Sequence, residues 1–388
     1  CGKCATVCSY NAIIVQQRPC AAACGMDAIS SDENGKADID YDKCVSCGQC
    51  LVNCPFGAIA DKSQIFQTIR AIQSGERVYA AVAPAFVGQF GPKVTPGKLR
   101  AAMKKLGFAD VFEVAIGADL CAAQEAQDFL DEVPEKIPFM ATSCCPAWVK
   151  YCETKYPEFV PNLSTCRSPQ QMFGAVVREY YKDPEKNEGK KIVSVSIMPC
   201  TAKKEEILRP ESFTNGKQDV DYVLTTTEVV IRKSGIVFDK VEIEAADVPF
   251  GIGSGSGVIF GVTGGVTEAV LRRLQQGHSR VDMEAIKKSG VRGDEGIKTL
   301  TYDYNGREIR AAVVNGLANA DKLLQQIKNH EVEYDFVEVM ACRRGCIMGG
   351  GQPVNAGPRT RKARMKGLYD TDVNTQIKKS NENPMILS

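Results

Sequence analysis

Residues 190–200 read KKIVSVSIMPC, an apolar run that ends on a proline and a cysteine. The run is too short for an ordinary helix and rich in β-branched residues, so it predicts a buried strand. A second run, YDFVEVMAC at residues 334–342, also ends on a cysteine. Because ligands in α/β folds bind at the carboxyl ends of strands, we expect Cys200 and Cys342 to lie at a functional site.

Apolar runs and helical patterns alternate along the chain on either side of these two stretches. Further strands are predicted at residues 77–84 and 110–117. Helices are predicted at residues 61–75, 95–108, 118–133 and 265–277. In the first of these helices one face should carry Ile65, Phe66, Ile69 and Ile72. Strand–helix alternation of this kind indicates an α/β fold with parallel or mixed sheets.

The composition is that of a globular protein with an unusual number of thiols. The 388 residues carry a net charge of +1, which gives no indication of nucleic acid or a membrane surface as partner. No apolar run reaches the roughly 18 residues of a membrane helix. There are 17 cysteines and only 2 histidines, with the cysteines concentrated near the start. That pattern favours thiolate ligands to metal in a reducing cytosol over a disulfide scaffold.

Three segments near the start repeat the pattern Cys-x3-Cys-x3-Ala-Ile, beginning at Cys4, Cys20 and Cys50. Cys44 and Cys47 precede the third and complete C-x2-C-x2-C-x3-C-P, the bacterial ferredoxin run that binds [4Fe–4S] clusters. The first repeat matches the same run without its first cysteine. Zinc ribbons need two cysteine pairs on either side of a longer loop, so the spacing favours iron–sulfur clusters. The expected ligands are Cys1, Cys4, Cys8, Cys44, Cys47, Cys50 and Cys54.

Cys20 and Cys24 exceed the number of thiols that two clusters need. Two cubanes take eight ligands, and this segment holds nine cysteines with a tenth expected upstream. Either the middle repeat is a decayed motif with one or both thiols free, or one of the two replaces a usual ligand. The sequence leaves both alternatives open.

Three motifs beyond residue 140 also contain cysteines: TSCCPAW at 142–148, MPCTAKKEE at 198–206 and MACRRGCIMGGGQP at 340–353. Four thiolates from three distant segments would suit one cubane. The three consecutive glycines of the last motif allow backbone to approach a bulky group closely. An isolated cysteine more often behaves as a small hydrophobic residue, and that is the interpretation for Cys121, Cys152 and Cys166.

Together these motifs resemble the signatures of the iron-only, or [FeFe], hydrogenases from about Val78 to the C-terminus, and the ferredoxin-like front end also fits. The resemblance implies a ferredoxin-like α+β domain over residues 1–62, truncated at its start. It implies a catalytic domain over residues 63–388, with two lobes of sheet and helix around an H-cluster. It further implies that the cubane of that cluster is ligated by Cys145, Cys200, Cys342 and Cys346. Cys346 would also bridge to a two-iron subcluster carrying CO, cyanide and a bridging dithiolate.

The same resemblance assigns roles to further residues. Cys144 would pass protons to and from the subcluster, and a path outward would run through Glu125, Ser164 and Asp128. Lys203 would bind a cyanide ligand. The other residues expected around the cofactor are Ala83, Pro84, Ser168, Gln170, Met198, Phe260 and Met340. The sequence departs from the usual pattern at Ala147, at Glu132, and at Cys121 and Cys166 beside the path.

We therefore expect reversible oxidation of H2, with electrons relayed through two [4Fe–4S] clusters of the N-terminal segment to or from a ferredoxin-type carrier. Hydrogenase maturation proteins are the other expected partners, and a cytoplasmic location in an anaerobic cell is expected, with any targeting segment upstream. The alternative is a non-catalytic relative that assembles iron–sulfur clusters or senses hydrogen. Cys144, Lys203, Glu125 and the complete third motif favour the enzyme, since a scaffold needs no proton path.

Overall fold

The computed structural model describes residues 3–13, 17–91, 94–229, 234–247, 249–275, 280–353 and 357–387. Twelve strands are seen in these ranges: β1 Ile29–Ser31, β2 Ala37–Ile39, β3 Arg77–Val82, β4 Asp110–Glu113, β5 Met140–Ala141, β6 Ile192–Met198, β7 Phe213–Thr214, β8 Lys217–Gln218, β9 Tyr222–Thr225, β10 Ile297–Tyr304, β11 Arg307–Asn315 and β12 Phe336–Met340.

Fifteen α-helices are seen in the same described ranges: α1 Lys3–Thr6, α2 Pro19–Ala22, α3 Gln49–Val52, α4 Ile65–Gln73, α5 Pro96–Lys105, α6 Ala115–Glu132, α7 Pro146–Lys155, α8 Pro169–Tyr180, α9 Lys203–Glu206, α10 Gly255–Ile259, α11 Gly265–Leu274, α12 Arg280–Ile286, α13 Leu317–Lys328, α14 Pro358–Asn374 and α15 Pro384–Leu387. Single 3-10 turns lie at Pro84–Phe86, Pro157–Asn162, Pro210–Ser212, Phe238–Lys240, Cys346–Met348 and Ser380–Glu382, and a π turn at Lys287–Val291. No described helix is both long and apolar enough to cross a bilayer.

Two four-stranded sheets form the body of the protein. The first has the order β4-β3-β6-β9 and is parallel throughout, with Val82 of β3 opposite Ile197 of β6. The second has the order β10-β11-β12-β5, in which only the β10–β11 pair is antiparallel. Two-stranded ribbons, β1–β2 and β7–β8, complete the strand pairing. The α/β class is confirmed, and the predicted strands and helices are present, except that residues 115–117, predicted to end a strand, form the start of α6.

Each large sheet is covered on both faces, as parallel sheets require. Along β3 the side chains alternate, so that Val78, Ala80 and Val82 join one apolar cluster and Tyr79 and Ala81 join another. The second sheet likewise separates two clusters. The front-end residues Met26, Ala28 and Val45 are buried in the first of these, against α7 and α13. The ferredoxin-like segment therefore shares its core with the second sheet.

The face predicted for α4 is partly wrong. Ile65 and Ile72 pack against the first sheet's core together with Ala71. Phe66 and Ile69, by contrast, are exposed to 69% and 45%. The helix buries the side that carries Thr68 and Ala71, because small residues there allow it to lie close to its neighbours. Apolar periodicity alone did not distinguish this side from the adjacent one.

We predict that Phe112→Ala destabilises the fold strongly. The Phe112 ring is buried against Tyr79, Phe173 and Phe250, with centroids 5.7, 6.1 and 5.1 Å away. Truncating such a ring should cost about 3–5 kcal/mol. The matched control is Phe66→Ala, whose exposed ring should change stability by no more than about 0.5 kcal/mol. Thermal unfolding of anaerobic protein measures both, and similar melting temperatures for the two variants would contradict this packing.

Candidate functional site

The carboxyl ends of four strands open onto one cavity of about 90 Å³ between the two sheets. β3 and β6 approach it from one sheet, and β5 and β12 from the other. Its walls are mostly apolar, and thiols and one lysine are its reactive groups. The lining residues are Ala83, Pro84, Ala85, Val114, Ala118, Cys144, Cys145, Pro146, Pro169, Gln170, Met198, Pro199, Cys200, Lys203, Phe260, Gly261, Met340, Cys342, Gly345, Cys346 and Gly349.

The structure brings the five cysteines of the three motifs to this cavity. Cys145 is the N-cap of α7, where its carbonyl accepts from Trp148 N and its sulfur accepts from Ala341 N at 3.5 Å. Cys200 lies two residues beyond β6, and Cys342 two residues beyond β12. The prediction that strand ends deliver these thiols is therefore confirmed in its geometry. Cys346 starts the single turn that follows, and Cys144 lines the cavity beside Cys145.

Burial disfavours ionisation of these thiols unless a positively charged group is bound beside them. It raises the pKa of Cys200 to about 11 and raises the pKa of Cys145, Cys342 and Cys346 as well. Nearby thiols add to the effect at Cys342 and Cys346, since four thiolates would repel one another. A bound cluster would supply the positive charge that lets buried thiols ionise. The donor set therefore fits an iron–sulfur group.

The glycines of the third motif allow its backbone to pack closely against neighbouring segments. A Cβ atom at Gly349 would collide with Pro199 O, and one at Gly351 would lie 2.9 Å from Cys200 N. Gly345 has φ +88°, a conformation that side chains rarely adopt, and its Cβ would lie 2.7 Å from Thr263 N. Gly349 and Gly351 thus let the third motif contact the loop that carries Cys200, and Gly345 lets it contact the segment at Thr263.

Lys203 is the one lysine at the cavity, and a carboxylate that sequence reasoning missed holds it there. Its ammonium donates to Glu206 Oε1 at 2.7 Å and to Cys144 O at 3.1 Å. Burial alone would lower the pKa of Lys203, but the Glu206 carboxylate raises it overall, so the ammonium stays charged. The Lys-x2-Glu spacing in TAKKEE places both groups on one helical turn and was the available signal.

Glu206 also fixes the residues around it. Its second oxygen accepts from Ser168 Oγ and Gln170 Nε2, both at 2.9 Å. Gln170 lines the cavity, whereas Ser168 does not and instead faces Glu206. The other predicted contacts line the cavity: Ala83, Pro84, Met198, Phe260 and Met340. Ser168 is thus placed behind the site, not in it.

The residues of the predicted proton path lie on adjacent elements. Glu125, on α6, is fully buried, and neither of its oxygens has a hydrogen-bond partner among the described residues. Burial raises the pKa of Glu125 to about 8, partly opposed by the nearby Ser164 hydroxyl. Glu125 in turn contributes to a raised pKa at Cys144, after burial. Asp128 lies one turn further along α6, is partly exposed and accepts from Gln124 Nε2 at 2.7 Å.

The front-end cysteines separate into two groups. A cavity of about 480 Å³ is lined by Cys24, Cys44, Cys47 and Cys50, but not by Cys20, which is buried beside it on α2. Backbone N–H groups point at the sulfurs of Cys24 and Cys44 at 3.4 Å. The remaining thiols, Cys4, Cys8 and Cys54, are exposed or partly exposed, and Cys1 lies outside the described residues.

Cys8 and Cys54 occupy equivalent environments at the ends of their repeats. Backbone N–H groups of Ala12 and Tyr10 lower the pKa of Cys8, and those of Phe56 and Ala58 lower the pKa of Cys54. Amides that point at a thiolate are a feature of iron–sulfur sites. Among the described residues no group of three or more His, Cys, Asp or Glu is arranged to hold a single metal ion. A cubane spreads its thiolates over a wider shell than one ion does.

The N-terminal segment that carries the ferredoxin-type cysteine run contacts the motifs of Cys200 and of Cys342 and Cys346 directly. Thr201 Oγ1 donates to Ser46 O at 2.6 Å, and Lys204 pairs with Asp61 at 2.6 Å. A Cβ at Gly350 would lie 2.7 Å from Cys47 O. Cys47 is also close enough to Cys342 to contribute to that thiol's raised pKa. The two thiol-lined cavities are therefore neighbours.

Two adjacent thiol-lined cavities, one of them on a ferredoxin-type cysteine run, define an iron–sulfur protein. The model for "Iron only hydrogenase large subunit, C-terminal domain" matches residues 76–350, and the chain belongs to that family. The model for "LdpA Fe-S cluster-binding domain" matches residues 16–65. Iron–sulfur binding and the hydrogenase fold are thus established for this chain.

The relatives include hydrogenases and one further class. The chain is 39% identical over 363 residues to the NADP-reducing hydrogenase subunit HndD of Solidesulfovibrio fructosivorans, covering 89% of this chain and 62% of that protein. It is 38% identical over 351 residues to iron hydrogenase 1 of Clostridium pasteurianum, covering 86% and 61%. The chain thus spans about three fifths of the length of these two relatives.

A solved structure and a more distant relative extend the comparison. A variant of the [FeFe]-hydrogenase HydA1 from Chlamydomonas reinhardtii superposes with a TM-score of 0.69 at 31% identity, covering 84% of this chain and 93% of that one. Cytosolic iron-sulfur assembly component 3 of Mus musculus is 29% identical over 348 residues, covering 82% of this chain and 72% of that protein. The fold is therefore shared by hydrogenases and by an assembly component.

We predict that Glu125→Gln stabilises the protein at alkaline pH. The folded-state pKa of about 8 lies above the ordinary value of 4.5, so the folded protein holds a proton that the unfolded chain releases. This contribution to stability is complete below pH 4.5 and is lost as the pH rises through 8. Glutamine stays neutral and avoids the loss, which is on the order of a few kcal/mol.

Thermal unfolding of the wild type and the variant at pH 6 and at about pH 9 measures this difference. The difference in melting temperature between the wild type and Glu125→Gln should be larger at the higher pH. Glu135→Gln is the control, because that side chain is exposed and its replacement should leave the difference unchanged. Equal gaps at both pH values would show that Glu125 is not a buried, proton-holding carboxyl.

Proposed function

We propose that this protein catalyses the reversible oxidation of H2 to protons and electrons at an H-cluster held in the cavity between the two sheets. The observation that carries the proposal is the convergence of five thiols and one buried ammonium on that cavity, with an unpartnered buried carboxyl beside it. A structural site would need the ligands alone. The additional thiol of Cys144 and the carboxyl of Glu125 are what proton exchange requires.

Within this proposal four thiolates hold the cubane: Cys145, Cys200, Cys342 and Cys346. Cys346 would also hold the two-iron subcluster with its CO, cyanide and dithiolate ligands. When bound, the cofactor supplies a vacant iron position that polarises H2 and a cubane that exchanges electrons. Lys203 would face a cyanide, because Glu206 keeps its ammonium charged and fixed. The apolar residues Met198, Phe260 and Met340 would exclude water.

Protons would leave through Cys144, Glu125, Ser164 and Asp128. Cys144 holds a proton on sulfur at the cavity, since burial disfavours its thiolate. Glu125 holds the next proton on its carboxyl and can release it near neutral pH, because its pKa of about 8 lies close to that range. Ser164 and the partly exposed Asp128 would complete the route to solvent.

Electrons would pass through the front end. We propose that residues 1–62 form a ferredoxin-like domain with two [4Fe–4S] clusters, and that residues 63–388 form the catalytic domain. Cys44, Cys47 and Cys50 would ligate the cluster nearer the catalytic cavity, with Cys24 as fourth ligand because it lines the same cavity. Cys54, Cys8, Cys4 and Cys1 would serve the outer cluster, for which Cys20 remains an additional candidate. A ferredoxin or similar carrier would exchange electrons there.

The alternative is a non-catalytic role in iron–sulfur assembly or hydrogen sensing. The relative of the assembly class shares the fold at 29% identity. Maturation proteins would be needed by the enzyme or by a hydrogen sensor, since they would have to install the two-iron subcluster, but not by an assembly protein. A cytoplasmic location follows from the proposed partners and is part of the proposal.

Hydrogen evolution from reduced viologen, on anaerobic protein loaded with the two-iron subcluster, tests the function. Turnover is expected, together with infrared bands of CO and cyanide in the same sample. Bands without turnover would favour a sensor. Neither bands nor turnover, in protein whose cubanes are intact, would favour the assembly role and overturn the proposal.

Cys144→Ala is the informative variant in this assay. It should keep the infrared bands and lose most turnover, roughly 100-fold or more, because only the proton donor at the cavity is removed. Cys152→Ala is the matched control, since that buried thiol on α7 donates to Tyr156 O and lies outside the cavity lining. Wild-type rates in Cys144→Ala would contradict the assigned proton path.

We also predict that Gly350→Ala slows electron transfer between the front end and the cavity. The added Cβ would press on Cys47 O and on Gly48 Cα, each at 2.7 Å, and would push the two loops apart. Turnover with a ferredoxin-type donor should fall by roughly tenfold, the scale of a weakened contact of about 1.4 kcal/mol. Viologen can donate elsewhere, so its rates should fall less.

Gly357→Ala provides the control for that experiment. Gly357 has no atom within 4 Å of an added Cβ and does not have a positive φ. It should therefore behave as wild type with both donors. A parallel loss with ferredoxin and viologen in Gly350→Ala would indicate damage to the cavity and contradict the interpretation.

A further inference from the structure

Two thiols outside the proposed ligand sets lie next to each other. The sulfur of Cys121, on α6, is 3.5 Å from the sulfur of Cys166, in the segment between Ser164 and α8. Both residues are buried, with 1% and 6% of their surface exposed. A disulfide has a sulfur–sulfur length of about 2.0 Å, so the two sulfurs would have to approach each other by about 1.5 Å to join.

One of the two thiols can be reached from solvent. Cys166 lines an open cavity of about 360 Å³ together with Ser143, Ser164, Arg167 and Glu206. Cys121 lies deeper, in an apolar cluster with Ala118, Phe260 and the partly buried Cys144. A small polar reagent that enters from outside would therefore meet Cys166 first.

We propose that Cys121 and Cys166 form a reversible redox-modification site for a small peroxide. The peroxide oxidises the Cys166 thiol to a sulfenic acid and releases one water. The Cys121 sulfur then bonds to the Cys166 sulfur, and the sulfenic oxygen leaves with the Cys121 proton as a second water. In total two thiols lose two electrons and two protons, and hydrogen peroxide is reduced to two waters. A dithiol reductant restores the pair.

Cys121 and Cys166 lie beside residues of the proposed proton path, so their oxidation would affect that path. Cys121 lies one helical turn before Glu125 on α6, and Cys166 N donates to Ser164 Oγ at 3.2 Å. Ser143, which precedes Cys144, donates its hydroxyl to Cys166 O at 2.7 Å. Drawing the two sulfurs together would shift α6 against this segment. The disulfide form would therefore disturb the approach of Cys144, Glu125 and Ser164 without removing a ligand.

The effect on the proton path rests on the proposed function, whereas the oxidation of Cys121 and Cys166 does not. Measuring the Cys121–Cys166 cross-link directly tests the oxidation independently of the proposed function. Anaerobic holoenzyme is treated with increasing equivalents of hydrogen peroxide, free thiols are alkylated, and peptides are mapped by mass spectrometry. A Cys121–Cys166 linkage is expected at low peroxide equivalents, before the iron–sulfur absorbance falls, and dithiothreitol should remove it.

Variants make the mapping decisive. Cys166→Ser should abolish the linkage, and Cys152→Ser should leave it as in wild type, because Cys152 is equally buried but bonds to a carbonyl. Cys121→Ser should leave a sulfenic acid on Cys166 that a dimedone-type probe captures. No linkage at peroxide levels that already bleach the clusters would overturn the proposal, as would linkages that prefer other cysteines.

Turnover and infrared bands of the same samples test the coupling to the proton path. Wild type should lose turnover in proportion to the linkage, keep its bands, and recover with dithiothreitol. The double variant Cys121→Ser/Cys166→Ser should keep its turnover under the same treatment. Linkage without any change in turnover would overturn the coupling. If the protein shows no turnover at all, the mapping still decides whether the pair is oxidised.

Discussion

Four thiols that must meet at one cavity constrain the whole architecture. They come from three segments far apart in sequence; Cys200 and Cys342 lie two residues beyond the carboxyl ends of strands, Cys145 caps α7 after β5, and Cys346 starts the turn after Cys342. Parallel strands send these ends to the same edge of a sheet, so two parallel edges that face each other can deliver all of them. Burial raises the pKa of each thiol, so these thiols become ligating thiolates only when a positive group is bound.

The short segment from Cys200 to Glu206 belongs to two sites at once. Cys200 and Lys203 line the cavity between the two sheets, and Glu206 holds the lysine from behind at 2.7 Å. Thr201 and Lys204 face the front end and bond to Ser46 and Asp61. One turn of helix therefore sets the positions of both thiol groups relative to each other. Gly350 completes this contact from the third motif, because a side chain there would separate the loops.

The sequence predicted the strand ends and the thiols well, because both follow from local patterns. The runs before Cys200 and Cys342 and the four-residue spacing to Cys346 needed no knowledge of distant contacts. What depends on tertiary packing was missed. Glu206 was not recognised as the partner of Lys203, and the exposed side chains of Phe66 and Ile69 were assigned to the buried face of α4.

The proximity of cysteines in space is the clearest example of what the sequence alone does not predict. Cys121 and Cys166 are 45 residues apart and were interpreted as isolated hydrophobic residues, yet their sulfurs lie 3.5 Å from each other. Nothing in the pattern around either residue indicates the other. The sequence likewise leaves the roles of Cys20 and Cys24 open, and in the structure Cys24, but not Cys20, lines the cavity with Cys44, Cys47 and Cys50. Sequence motifs indicate which cysteines are candidate ligands, whereas they do not indicate which cysteines lie close together in the fold.

The buried carboxyl of Glu125 favours the proposed catalytic role over a role in cluster assembly. Its two buried oxygens have no hydrogen-bond partner among the described residues, and an unsatisfied buried polar group costs stability. A protein that only held clusters would gain stability from an apolar side chain at this position of α6. A carboxyl that is neutral at low pH and ionises near pH 8 is instead suited to take up and release protons beside Cys144. A proton path of the kind proposed would account for a carboxyl at this buried position, whereas cluster binding alone would not require one.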